Sequence, residues 1–421
     1  MHARLTVLLI LVAVLPLQAQ KSAILAGALI DGTGKVLTNP AVIIQDGKIV
    51  AVTNKAGVPK DASVIDLGNA TLLPGLIDLH VHPNLGVRDY QVYHMKESSA
   101  GKALSGLKAV QDLLQAGWTS LRVAGDGDVG YANFEIRDAI NQGLFTGPRI
   151  FGAGHYLSVT GGGGDINFMS YEQKVIADGL IVDGPAEVQK AVRQEIKYGS
   201  DWIKLLVTGA FMSAGDNPNN VHFSLEELNA AVAEAARRDV PVMAHAHAAE
   251  GIKLAVKAGA RTIEHGSFID EEAMDLMIKH GTYLIPTLSI HAFHENTDDP
   301  SQQKASELNK KIGEAMYRGF QLAVKKGVKF GMGTDFVGWP ATYSANEFIQ
   351  YQKIGFTPMQ AIQCATRVNA EILRRENEIG TVEAGKFADI IAVKGDPLKD
   401  LTELQRVKFV MIGGKVVRNE K

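Results

Sequence analysis

The chain has 421 residues, more than a single hydrophobic core usually organises, so one large barrel or two domains is expected. Its 43 basic and 46 acidic residues are well mixed and leave a formal net charge of -3. That excludes the broad basic footprint of nucleic-acid binding or of attraction to anionic lipid, and leaves a small molecule as the expected partner.

Residues 1–20 carry Arg4, an apolar stretch from Leu5 to Leu17 and a small-residue exit at Gln18-Ala19-Gln20, the pattern of an export signal cleaved near Ala19 or Gln20. The stretch is short of the ~20 residues that cross a bilayer, so a secreted or periplasmic protein without a stable membrane anchor is expected. Next, Ala41–Gln45 and Lys48–Val52 flank Asp46-Gly47, a strong hairpin signal. The C-terminus repeats it, with Val407–Ile412 and Lys415–Val417 around Gly413-Gly414, beside a further apolar strand at Ala388–Val393. Hairpins are marginal alone, so the two ends are predicted to meet in one β-sandwich domain made of residues 21–73 and 376–421.

Between them, residues 74–375 alternate short β-like runs with helical stretches. Eight strands are predicted to end near His80, Val123, Ala153, Val207, His245, His265, Leu288 and Asp335. A helix is expected from Ser224 to Arg238, opened by the capping box Ser224 and Glu227. Eight βα units over about 300 residues predict an α/β fold of the TIM-type (β/α)8 barrel kind. Cys364 is the only cysteine, so neither a disulfide nor a sulfur cage for a metal is available within the chain; it reads as a small buried hydrophobe.

In such a barrel, chemistry belongs at the C-terminal ends of strands. His80 and His82 end the first strand and, two residues apart, project to the same face. His245 and His265 end two further strands, so four imidazoles converge on one mouth, where His is the commonest metal ligand. Asp335 ends the last strand, where a carboxylate binds metal, moves protons or merely caps the next helix. Lys204 lies in the apolar run Trp202–Val207, where an unpaired ammonium is costly. It either snorkels or pairs with an acid, or its desolvated amine captures carbon dioxide as a bridging carbamate.

Pro74–His82, Lys204, His245, His265, Gly333-Thr334-Asp335 and Gly380–Asp389 together resemble the amidohydrolase superfamily over nearly the whole mature chain. Within it the sequence looks similar to the imidazolonepropionase-like group that contains Xaa-Pro dipeptidase-like carboxypeptidases and ochratoxin-hydrolysing amidohydrolases. The resemblance implies two divalent metals, usually zinc, and often a homo-oligomer. His80, His82 and Asp335 would hold one metal, His245 and His265 the other, and N6-carboxylated Lys204 both. His247 would face the substrate carbonyl. Many relatives carry a histidine in the glycine-rich loop where this chain has Gly163, so His155, just upstream, is a candidate substitute. Arg122 is a candidate for a bidentate contact to a substrate carboxylate, with a structural ion pair as its other reading; His291 is a candidate pocket residue.

The expected reaction is hydrolysis of dipeptides, N-acyl amino acids or aromatic amides such as ochratoxin A. The metals would acidify the attacking water and Asp335 would carry the proton to the leaving amine. The alternatives are ring opening of a cyclic amide or lactone, and an exported metal-binding scaffold without turnover.

Overall fold

A computed structural model of the chain describes residues 21–86, 89–128, 130–295 and 303–420, with side chains except those of residues 294–295 and 303–312. The export segment expected over residues 1–20, with its cleavage point, lies outside the described residues. No helix among them is long and apolar enough to cross a membrane.

The middle of the chain is parallel α/β. Leu76–Val81, Trp118–Ala124 and Arg149–Ala153 pair in parallel, in that spatial order. A second parallel sheet runs Leu180–Ile181, Tyr156–Ser158, Ile203–Leu206, Val242–Ala248, Thr262–Phe268, Tyr283–Ile285 and Lys329–Phe330. Strands 76–81, 118–124 and 242–248 are buried at every residue, as expected of parallel strands covered on both faces. Helices such as Ser99–Gln115, Pro185–Lys197, Leu225–Ala236 and Glu271–His280 connect them. Ser224 caps the helix at 225–236, accepting from the Glu227 N–H while the Glu227 carboxylate accepts from the Ser224 N–H, so both halves of the expected box are present.

Backbone hydrogen bonds join the two sheets at two places. The Asp201 and Trp202 N–H groups both donate to the Gly152 carbonyl, at 3.1 and 3.3 Å. On the other side Leu79 N–H donates to Met332 O, Asp335 N–H to His80 O and His82 N–H to Phe336 O. The last strand is regular only over Lys329–Phe330, shorter than its apolar sequence suggests, because a side chain replaces part of its ladder. Buried Asn369 accepts from Met332 N–H at 2.9 Å and donates to Met332 O and to Ile77 O at 2.8 and 2.7 Å. The seventh strand likewise stops at Ile285, and Leu288, expected near its end, opens the helix Leu288–Glu295.

The chain ends share a sheet. Thr71–Pro74, which leads directly into the His80 strand, pairs antiparallel with Ile390–Val393 and parallel with Ala28–Ile30. Val36–Thr38, Phe409–Ile412 and Lys415–Asn419 complete six strands. A four-stranded sheet of Ser22–Leu25, Pro40–Gln45, Lys48–Asn54 and Ser63–Asp66 lies against it. Ile24, Val42 and Ile49 of the four-stranded sheet share a buried cluster with Leu72, Ile390 and Phe409 of the six-stranded one. In both hairpins the two turn residues have positive φ, 52° and 76° at Asp46-Gly47 and 52° and 75° at Gly413-Gly414, the conformation a tight two-residue hairpin demands. The turns touch: a Cβ on Gly414 would lie 2.9 Å from the Gly47 Cα.

Candidate active site

His80, His82, Lys204, His245, His247, His265, His291 and Asp335 all line one pocket, above the C-terminal ends of the parallel strands. His80 and His82 lie at the end of the first strand. The His80 Nδ1 is 2.7 Å from a Glu264 carboxylate oxygen, and the His82 Nδ1 faces the Gly125 carbonyl. Both partners are pure acceptors, so both Nδ1 atoms carry the proton and both Nε2 atoms are bare. Those Nε2 atoms stand 3.2 Å apart, with an Asp335 carboxylate oxygen 3.5 and 3.4 Å from them. Two lone pairs aimed at each other repel, and a cation between them turns the repulsion into coordination. Burial holds both rings well below the ordinary imidazole range, which keeps them neutral and able to ligate.

A second set of donors faces the first. His245, His247 and His265 have nitrogens within 4.8 Å of one another, as do the ligand atoms of His80, His82 and Asp335. The His265 ring centre lies 4.9 Å from that of His80 and 4.6 Å from that of His245. Hydrogen bonds orient each ring: His245 Nε2 with Gly209 O, His247 Nδ1 with Ser267 Oγ and His265 Nδ1 with Thr287 Oγ1. Such partners on the far nitrogen fix ring orientation at metal centres. Burial pushes His245 down to about 3, and His247 and His265 well below their ordinary value. The donor chemistry of both sets therefore fits divalent metal with nitrogen and oxygen ligands.

Lys204 sits on the strand between the partners Tyr156 and Met243, buried on the pocket floor. Burial lowers its ammonium to about 8 against the opposing pull of the Glu264 and Asp335 carboxylates. Burial likewise raises Asp335 to about 7, partly offset by Lys204. His265, Thr287 and Asp335 adopt φ of 71°, 50° and 60°, a region that non-glycine residues rarely enter and that recurs at functional sites.

Two expected site residues are elsewhere. Arg122 does not face the pocket: it is wholly buried, its Nη2 donates to Glu264 at 2.8 Å, its Nε to Leu79 O and its Nη1 to Thr262 Oγ1. A guanidinium committed to a buried carboxylate has no free edge for a substrate, so the ion-pair reading is correct. His155 does not stand in for a histidine at Gly163 either. Its Nδ1 and backbone N–H engage Glu195 and its ring abuts Tyr131, 4.4 Å between centres. Neither residue lines the pocket.

Glu264, which joins Arg122 to His80 across strands, is a site residue beyond those expected from the sequence. Its signal was an acid in the apolar run before His265, a costly placement unless paired. So are Tyr90, Ser213 and Phe211, which line the pocket from loops and a short helix whose positions no periodicity reveals.

A conserved-domain description, the amidohydrolase family, matches residues 71–417. The chain belongs to the amidohydrolase family, and with it to the hydrolases acting on amide bonds. It is 33% identical to ochratoxinase of Aspergillus niger over 95% of this chain and 87% of that protein. Among solved structures it is similar to a Xaa-Pro dipeptidase with methionine bound in the active site, at 36% identity and a TM-score of 0.87, covering 95% of this chain and 100% of the other. A prolidase complexed with N-methylphosphonate-L-proline matches at 30% identity and a TM-score of 0.85, with the same coverage.

Proposed function

We propose that the protein is an exported, binuclear metal-dependent hydrolase of dipeptides or N-acyl amino acids that carry a bulky apolar group. The observation that carries this reading is the convergence of His80 Nε2, His82 Nε2 and Asp335 on one point, facing a second cluster of histidines across Lys204. His80, His82 and Asp335 would hold one metal and His245 and His265 the other. Neutral imidazoles bring no charge, so two divalent ions would call for anions; a carbamate on Lys204, the one lysine among the described residues lining the pocket, would supply one to both. Zinc suits the nitrogen and oxygen donors. The linked parallel strands form a closed (β/α)8 barrel over residues 74–375, and the terminal sheets form a sandwich from residues 21–73 and 376–421.

Bound there, the metals supply an acidified water at neutral pH. Asp335 takes up the proton and delivers it to the departing amine. His247, its ring 4.6 Å from Phe211 and its Nδ1 held by Ser267, would offer its other nitrogen to the substrate carbonyl oxygen. Phe211, Met212, Ile290 and Val337 make the walls apolar. That suits the methionine and proline groups named in the dipeptidase and prolidase complexes. Arg122, committed to Glu264, leaves recognition of a substrate carboxylate to other groups of the pocket.

The test pairs metal analysis with a panel of dipeptides, N-acyl amino acids and cyclic amides or lactones. Two equivalents of zinc with cleavage of the open-chain amides is expected; ring opening without dipeptide or N-acyl cleavage overturns the substrate class. Lys204→Ala should lose metal and regain it with added short carboxylates, and retention of metal without them rejects the carbamate.

A further inference from the structure

The strand that carries Lys204 is followed by a loop, residues 207–222, whose neck is closed by its own backbone. Gly209 N–H donates to Asn220 O and His222 N–H to Val207 O, at 3.0 and 2.9 Å, and Thr208 bridges Val221. One side chain fills its interior. Asp216 accepts from Ala210 N–H at 2.8 Å with one carboxylate oxygen, and with the other meets His222 Nε2 at 3.2 Å and Asn217 N–H at 2.8 Å. The Asp216 side chain is 2% exposed. A side chain at Gly209 would collide with this arrangement, its Cβ 1.9 Å from Asn217 O and 2.5 Å from Asp216 Oδ1.

The tip of the loop, Ala210–Ser213, lines the pocket. Ser213 Oγ donates to the Gly163 carbonyl at 2.7 Å and lies 2.6 Å from the Tyr90 hydroxyl. A Cβ on Gly163 would sit 3.1 Å from Asp216 Oδ2 and 3.4 Å from both Ala210 Cβ and Ser213 Oγ. The glycine-rich loop therefore nests on the same carboxylate that ties the 207–222 loop shut. A larger residue at 163 and this closed loop compete for one space.

We infer that Asp216 is a positioning residue that latches Phe211, Met212 and Ser213 against the pocket, and that Gly163 is the glycine this latch requires. The wall so formed selects the substrate's side group and takes no part in bond cleavage. Phe211 is its working face, packed edge-on to His247 and 6.0 Å from the His291 ring. The inference rests on amide hydrolysis at this site.

The experiment compares the best bulky apolar amide of the panel with its alanine counterpart on zinc-loaded enzyme. Asp216→Ala should raise KM for the bulky substrate about tenfold and leave kcat and the small substrate within about twofold, with metal content unchanged. Gly163→Ala, which presses on the latch, should raise the same KM. In the double variant it should add nothing, because removing the carboxylate frees the space. Asp216→Asn, keeping one acceptor, should recover part of the effect. Equal loss on both substrates, loss of metal, or additive effects in the double variant overturns the latch. If Asp216→Ala does not fold, Gly163→Ala carries the test: an unchanged preference for the bulky amide overturns the proposal. If the wild type cleaves no amide, the hydrolase reading fails, and hydrogen exchange of the Gly209 and Ala210 amides in Gly163→Ala decides the latch separately: faster exchange supports it and unchanged exchange overturns it.

Discussion

At the scale of single residues, the site depends on where protons are fixed. Glu264 joins the Arg122 guanidinium to the His80 Nδ1, so one buried carboxylate both neutralises an arginine and turns an imidazole lone pair toward the pocket. Asp335 is the group whose two proposed roles, ligand and proton carrier, separate experimentally. Asp335→Asn keeps His80 and His82 and one coordinating oxygen, so metal content should largely persist while kcat falls about 10²–10⁴-fold. Turnover equal to the wild type would sink the mechanism, and a wild type with metal but no turnover would favour the scaffold. The histidines and Asp335 could be read from the sequence because each follows a short apolar run, although strands 242–248 and 262–268 continue three residues past His245 and His265 and Asp335 lies beyond strand 329–330. The fates of Arg122 and His155 could not, since their partners lie 142 and 40 residues away and no local pattern announces them.

Elements follow the same division. Both hairpin turns were legible because a two-residue loop requires left-handed residues and only a few types supply them cheaply. Their contact with each other was not, because it joins residues 47 and 414. Gly414→Ala meets both penalties, positive φ and a Cβ 2.9 Å from Gly47 Cα, and should cost roughly 1–3 kcal/mol in denaturant melts. Gly68, with φ of 60° and nothing within 4 Å, is the control: Gly68→Ala pays the backbone strain alone and should cost less. Equal losses at the two positions would show that the turn contact contributes nothing. The early end of strand 329–330 is the converse lesson. Its apolar sequence reads as a longer strand, and buried Asn369, far along the chain, takes the ladder's place.

For the whole molecule, the proposed donors come from strands 76–81, 203–206, 242–248 and 262–268 and from the segment after 329–330, so bound metal would tie five parts of the chain together. A ligand that binds only the folded state stabilises it by about 2.7 kcal/mol at a hundredfold excess over Kd. Chelation should therefore lower the melting temperature by several degrees and zinc should restore it; identical melts with and without chelator would contradict a metal centre that spans these strands. The alternation of strands and helices made the parallel core readable, whereas the order in which its sheets link is a property of the assembled chain. Thr71–Pro74 also waits on its partner in time. Its partner Ile390–Val393 is synthesised more than 300 residues later, so during synthesis the segment that leads into His80 carries an open edge. A ribosome that stops short of that partner releases a chain with most of the catalytic machinery encoded yet a sticky strand uncovered, and quality control has a ready mark by which to discard it.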